Sequence, residues 1–168
     1  MSALQKMTAK GFLPMIPPTL IKEFPLFGSG YFKGIEYDSE TDEIYRLASA
    51  EKEADGKVNR EEKFLVGTAE PSLLAYYSGE VLAKESLPLR LSGFSQCYRS
   101  EIGSYGRDTK GLYRVHEFFK VEQVVLCAAD MKEADVLQTE MLAISEEMHR
   151  ELGIPYRKLQ ICTGDLGT

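Results

Sequence analysis

A chain of 168 residues, 43% hydrophobic and 27% charged, has the size of one ordinary soluble domain and can bury a core of its own. Its net charge of −6 excludes a protein that coats nucleic acid nonspecifically, because such binding neutralises many phosphates with Lys and Arg. No apolar run reaches the roughly 18 residues of a membrane span, and Met1 to Phe12 lacks the basic-then-apolar layout of a secretory signal, so no membrane partner is expected and the cytoplasm is the expected compartment.

Along the chain, Ala3 to Lys10 reads as the last turns of a helix stopped by Gly11, and Phe12 to Ile16 as a short strand ended by Pro17 and Pro18. Thr19 to Glu23 is predicted to form one helical turn, and Phe27-Gly-Ser-Gly-Tyr31 a loop. Tyr37 to Lys63 is charged, with Asp55-Gly56 turning between short strands near Ile44 to Leu47 and Phe64 to Val66. Thr68 to Glu70 falls where the second of these strands meets a helix beginning at Pro71 and closed by Gly79, a junction of the kind that commonly faces a ligand.

Asp130 and Glu133 form a capping-box pattern ahead of Ala134, Leu137, Met141, Ile144, Met148 and Leu152, a stripe at helical spacing that ends at Gly153 and Pro155. Methionines at that spacing are core-packing residues before they are a binding groove. Tyr156 to Cys162 is read as a further strand. Cys97, Cys127 and Cys162 are odd in number and widely spaced, which favours reduced structural thiols over disulfides or zinc, and no metal-ligating cluster is expected. Strands, a hairpin and helices without regular βαβ alternation favour an α+β fold, a mostly antiparallel sheet flanked by helices.

The chemistry concentrates between Gly93 and Glu122, where two strands flank a connection of 12 residues, Ile102 to Tyr113. Hairpin loops of that length are uncommon and usually functional. Strand alternation puts Arg99 with Glu101 on one face and Arg114, His116, Phe118, Lys120 and Glu122 on one face of the partner. Val115, Phe119, Val121 and Val125 fall on the other, where they are expected to pack under a helix. A solvated sheet surface is the ordinary use of a polar face. Guanidinium groups, an aromatic plane and carboxylates on adjacent strands are, however, what a nucleotide demands for its phosphates, base and exocyclic amine. Between residues 99 and 114 four basic groups, Arg99, Arg107, Lys110 and Arg114, outnumber Glu101 and Asp108. No phosphate-binding GxxxxGK[ST] loop, dinucleotide fingerprint or Ser/Cys–His nucleophile context competes with this reading.

Tyr98-Arg-Ser-Glu101, Gly103 to His116 and Lys120-Val-Glu122 together resemble motif 2 of seryl-tRNA synthetases, spanning about 93 to 122. Thr68-Ala-Glu70 resembles the serine-binding string of that family, Leu87 to Arg90 and Leu152 to Gly167 extend the likeness, and residues 11 to 18 resemble the end of motif 1. Residues 38 to 62 match least. The resemblance implies a partial class II catalytic core over residues 1 to 168, without the N-terminal tRNA-binding arm and without motif 3. ATP and Mg²⁺ are the implied cofactors, L-serine and the acceptor end of tRNA(Ser) the implied partners, and a homodimer the assembly of the full-length family.

By the same resemblance, Arg99 and Arg114 are the catalytic residues, and Arg99, Ser100, Glu101, Arg114, Val115 and Phe118 bind ATP. Thr68, Ala69, Glu70, Arg99 and Glu122 bind serine, and Arg107 and Lys110 contact the tRNA acceptor. The expected activity is ATP-dependent formation of seryl-adenylate and transfer to tRNA, weakened in so short a chain. A non-catalytic ATP- and serine-binding paralogue and a ligase that charges a carrier protein are the two alternatives.

Overall fold

A computed structural model of the chain describes residues 2–32, 36–39, 42–47, 51–52, 56, 58–59, 62–102, 112 and 114–163. The chain divides into two compact units, Met1–Leu126 and Cys127–Thr168. Arg107, Lys110 and Asp55 lie outside the described residues.

The first unit opens with α1 (Ala3–Ala9), whose free amides are met by a capping box in which Ser2 and Gln5 each accept from the other's backbone N–H. Gly11 then turns the chain at φ +86°, a left-handed conformation that suits glycine, and leads into β1 (Leu13–Met15). β1 runs parallel to β7 (Leu89–Tyr98), which pairs antiparallel along its whole length with β8 (Glu117–Leu126), so the main sheet is mixed in the order β1-β7-β8. Met7 and Phe12 are buried, and the Arg90 guanidinium lies 5.9 Å from the Phe12 ring centre.

A second sheet has the order β2-β6-β3, from Leu20–Lys22, Lys63–Leu65 and Tyr45–Leu47, all antiparallel. Where one helical turn was expected at Thr19 to Glu23, β2 forms because Ile21 pairs with Phe64 and both are buried; tertiary pairing outweighs local propensity. The expected loop at Phe27 begins inside α2 (Glu23–Gly28), which tolerates Pro25 in its first turn and is anchored by the fully buried Leu26. Ile21, Leu26, Phe32, Ile44, Phe64 and Val66 make one core cluster, with Tyr31 and Tyr37 packed on it. Within residues 38 to 62, β4 (Glu51–Lys52) and β5 (Val58–Asn59) form a small antiparallel ladder on either side of Gly56, which turns at φ +82°.

The two sheets are joined at Val66, whose N–H donates to the Thr19 carbonyl at 2.9 Å and whose carbonyl accepts from the Tyr98 N–H at 2.8 Å. Immediately after it come α3 (Glu70–Tyr76), with Pro71 in its first turn, and a one-turn 3₁₀ helix at Lys84–Ser86. This crossover lays α3 on the face of the main sheet that carries Leu91, Gly93, Val124 and Glu122. Ala69, Leu73 and Leu91 are fully buried together, with Val124 packed on them.

That placement corrects an expectation at one residue, Phe119; Val121 and Val125 of the same face are half-buried, and Phe12, after α1, lies against Arg90, the strand partner of Val125. α3 covers the strand face of Phe118, Lys120 and Glu122, and Phe119 on the opposite face is 67% exposed and stacks on Phe94 at a centroid separation of 5.5 Å. Small residues explain the choice of face, since Gly93 and Ala69 let helix and sheet approach closely. A β-carbon at Gly93 would stand 2.9 Å from the Ala69 β-carbon and 3.0 Å from Leu73 Cδ1.

In the second unit α4 (Met131–Glu151) begins where the sequence predicts, with the Asp130 carboxylate accepting from the Lys132 and Glu133 amides at 2.8 and 3.2 Å; the Asp130 N–H donates to the Ala128 carbonyl at 2.7 Å, so the cap forms without the reciprocal half of the expected capping box. Leu137 and Ile144 of the stripe are buried, whereas Leu152 is 70% exposed. Gly153 closes the helix at φ +65°. The expected strand at Tyr156 to Cys162 is absent: these residues are exposed and pair with no other strand of the unit among the described residues, and a strand exists only as part of a ladder. Lys158 instead bridges to Glu146 at 2.8 Å, and Arg150 donates to the Tyr156 hydroxyl at 3.3 Å. Among the described residues no helix is long and apolar enough to cross a membrane.

Gly93→Ala is expected to destabilise the chain by about 1 to 3 kcal/mol through overpacking of α3 on the sheet. A lowered urea midpoint with an unchanged slope tests this, and an unchanged midpoint would contradict the close approach.

Candidate active site

The sheet register brings separate parts of the sequence to one place. Gly93 pairs with Glu122, Ser95 with Lys120 and Cys97 with Phe118, so these side chains line up beneath the Gly67–Glu70 turn that leads into α3. One oxygen, Glu122 Oε2, collects three donors. Thr68 donates its hydroxyl to it, the Ala69 N–H donates at 3.0 Å, and Lys120 Nζ stands 3.0 Å away. Lys120 also donates to Thr68 Oγ1 at 2.5 Å, which commits the Thr68 hydrogen to Glu122.

Glu70 joins this group electrostatically. Partial burial raises its carboxyl above the ordinary value of 4.5, the Glu122 charge raises it further, and Lys120 offsets part of the rise. The Cys97 thiol, fully buried in the same layer, is likewise raised, first by burial. Arg99 aside, two carboxylates and one ammonium leave this cluster one negative charge in excess.

Arg99 lies where β7 ends, and its guanidinium is held on several sides. Its Nε donates to the Gly67 carbonyl at 3.3 Å, its Cζ lies 5.5 Å from the centre of the Phe118 ring, and its side chain hydrogen-bonds Tyr31. The Tyr31 hydroxyl reaches Arg99 across Gly67, where a β-carbon would stand only 1.9 Å from it. Burial raises the Tyr31 phenol above its ordinary 10.0, against the lowering effect of Arg99.

Beyond Arg99 the chain bends away from the ladder. Glu101 has φ +55°, uncommon for a residue with a side chain and of the kind that gathers at functional sites. Its carboxylate accepts from Arg114 Nε, and Arg114 also lies 4.0 Å from Glu43. Arg114 and Val115 precede β8, so they belong to the loop base and not to the strand face. His116 Nδ1 is 3.0 Å from both the Arg99 carbonyl oxygen and the Tyr45 hydroxyl. A carbonyl only accepts, so the proton sits on Nδ1. Among the described residues the buried Ser100 Oγ has no hydrogen-bond partner.

The predicted residues therefore gather into two adjoining groups: Thr68, Ala69, Glu70 and Glu122 around the Glu122 carboxylate, and Ser100, Glu101, Arg114 and Val115 around the loop base. Arg99, over Phe118, connects them. Two residues of the site were missed. Lys120 was visible on the strand face, but its contact with Thr68 depends on α3. Tyr31 sat in a segment read as loop, with the bare Gly67 as its only sequence-level signal. Among the described residues no three His, Cys, Asp or Glu side chains converge as a metal site. A cavity of about 490 Å³ in the second unit, lined by Leu142, His149, Tyr156 and Leu159 among others, contains none of the predicted residues.

The chain belongs to the family of the tRNA synthetase class II core domain (G, H, P, S and T), whose model matches residues 49–168. Within that class it is similar to serine–tRNA ligases. It is 40% identical to the serine–tRNA ligase of Methanoregula boonei over 166 residues, 99% of this chain and 35% of that protein. Its fold matches the seryl-tRNA synthetase of Pyrococcus horikoshii complexed with ATP, with a TM-score of 0.77, 38% identity and coverage of 98% of this chain and 33% of the other. The cytoplasmic serine–tRNA ligase of Naegleria fowleri in complex with AMP matches at a TM-score of 0.80 and 30% identity, over 98% and 32% of the two chains. The chain spans about a third of the length of these relatives.

Tyr31→Phe and Gly67→Ala are expected to act on one contact. In an ultraviolet titration, the difference between the unaltered chain and Tyr31→Phe should show a phenol ionising above 10.0, and Gly67→Ala, by displacing the ring, should bring it back toward that value. Folding raises this phenol, so the stability linked to it is complete below its ordinary pKa and is lost as pH rises through the raised one. A phenol that titrates ordinarily in the unaltered chain would contradict the contact.

Proposed function

We propose that this chain is the serine- and ATP-binding half of a seryl-tRNA synthetase catalytic domain, activating L-serine to seryl-adenylate for transfer to tRNA(Ser). The observation that carries the reading is the convergence on Glu122: a carboxylate oriented by Thr68 and Ala69, with Arg99 held on the carbonyl of Gly67, the residue before Thr68. The serine ammonium would take the free acceptor capacity of Glu122 and Thr68, with Glu70 adding attraction, and the serine carboxylate would face Arg99.

ATP would lie over Phe118 with its adenine stacked on the ring and its exocyclic amine donating to Glu101. Ser100 and the Val115 backbone would complete the contacts. Arg99 would hold the α-phosphate and Arg114 the γ-phosphate, so Arg114 must exchange its present carboxylate partner, Glu101, for phosphate. Guanidinium suits both roles because it pairs with phosphate through two parallel hydrogen bonds.

The serine carboxylate then attacks the α-phosphorus in line, forming the acyl–phosphate bond as the bond to pyrophosphate breaks. No side chain acts as nucleophile. Orientation and pre-placed positive charge provide the acceleration, and Arg99 is the group that meets both reactants. Mg²⁺ keeps phosphate oxygens and waters as its main ligands, with one or two carboxylates. Bound with the nucleotide, the ion would offset the phosphate charge. Arg107 and Lys110 would meet the tRNA acceptor, and this reading places the protein in the cytoplasm as a homodimer when part of a full-length synthetase.

Calorimetric titration of the unaltered chain, Glu122→Ala and Arg99→Ala tests the division of labour. Glu122→Ala should lower serine affinity by about 10- to 100-fold, the effect of losing charge-assisted hydrogen bonds, and leave ATP affinity unchanged. Arg99→Ala should weaken both. Loss of ATP binding alone in Glu122→Ala would sink the assignment.

A further inference from the structure

We infer that Lys120 is a specificity-determining residue of the amino-acid pocket: a built-in ammonium that fixes the pocket's capacity at one further positive charge and so rejects substrates with a cationic side chain. The inference rests on the reading of Glu122 and Thr68 as the serine site and extends it to a residue that the sequence resemblance left without a role.

The geometry is that of an internal cation. Lys120 Nζ donates to Thr68 Oγ1 at 2.5 Å and lies 3.0 Å from Glu122 Oε2. Both oxygens belong to the group proposed to receive the substrate ammonium. Lys120 is held at that point by the strand register, one pleat from Glu122 on the same face of β8, and Cys97 and Ser95 of β7 close the layer behind it. Its partners leave it little freedom to withdraw without stranding Thr68.

Charge then decides what can enter. Among the described residues, the charged and titratable groups facing this point are Glu70 from α3, Lys120 and Glu122 from β8, Cys97 from β7, and Arg99 beyond the end of β7. Glu70 and Glu122 attract, Lys120 repels, and Arg99 is engaged by the Gly67 carbonyl and the Phe118 ring. A zwitterionic amino acid brings one ammonium for the excess carboxylate and one carboxylate for Arg99. A second ammonium on the side chain would meet no unpaired carboxylate and would lie within a few ångströms of Lys120, where like charges repel strongly in a partly desolvated site.

The discriminating probe is 2,3-diaminopropionate, which has the shape of serine with an amine in place of the hydroxyl. At mildly acidic pH both its amines are protonated. By calorimetry the unaltered chain should bind serine at least about tenfold more tightly than this probe. Lys120→Gln should lose that preference or invert it, because two carboxylates then face the ligand without an internal cation, and its ATP affinity should be unchanged. Lys120→Arg, which keeps the charge, should retain the preference. Glu70→Gln, at an exposed position, supplies an independent arm, since it neutralises the excess charge and should weaken serine binding while sharpening rejection of the probe. A preference for serine that is the same in Lys120→Gln as in the unaltered chain, or a Glu70→Gln chain that binds both ligands like the unaltered one, overturns the inference and leaves the serine-site reading standing. Failure of the unaltered chain to bind serine at all overturns both.

Discussion

One carboxylate oxygen holds the site together. Glu122 Oε2 receives the Thr68 hydroxyl, the Ala69 amide and the Lys120 ammonium, and these come from the turn before α3 and from β8 itself. Two of the three donors lie more than fifty residues away in sequence, at |i−j| of 54 and 53, so the contact forms only after the sheet has paired and α3 has crossed onto it. Leaving that partly buried carboxylate without its donors would be unfavourable, which ties the placement of α3 to the charges around Glu122. Gly93 and Ala69 meet it sterically by removing the bulk that would hold helix and sheet apart.

The same economy of contacts positions Arg99. Its guanidinium is gripped by the Gly67 carbonyl, the Phe118 ring and Tyr31, and Gly67 directly precedes Thr68. A displacement of the Gly67–Ala69 turn would therefore move Arg99 and the donors of Glu122 together. This coupling fits a reaction in which one substrate presents an ammonium to Glu122 and its carboxylate to Arg99. At the loop base, Arg114 and Glu101 satisfy each other, so ligand binding there is an exchange of partners, with much of the electrostatic gain offset by the pair that is broken.

Much of this was legible in the sequence, and the limits have physical causes. The β7–β8 hairpin was readable because strand alternation is strict, and α4 because its cap and stripe agree. The α3 junction was readable from Pro71 and Gly79. Which face the helix covers was not, since period-two patterning separates two faces without saying which one is buried; Phe119 looked like core and lies exposed. Thr19 to Glu23 failed because Ile21 becomes a strand only through Phe64. Tyr156 to Cys162 has strand composition but finds, among the described residues, no strand to make a ladder with. The resemblance named Thr68, Glu122 and Arg99, but Lys120 and Tyr31 acquire roles only from distances across elements.

The central claim is that a single amino acid bridges Glu122 and Arg99 while a nucleotide occupies the Phe118 side. A crystal structure of the chain with a non-hydrolysable seryl-adenylate analogue tests it most directly. The account predicts the ammonium in hydrogen-bond contact with Glu122 and Thr68, the phosphate surrogate against Arg99, and adenine stacked on Phe118. An analogue seated with its ammonium away from Glu122, or bound in the cavity beside α4, would contradict it.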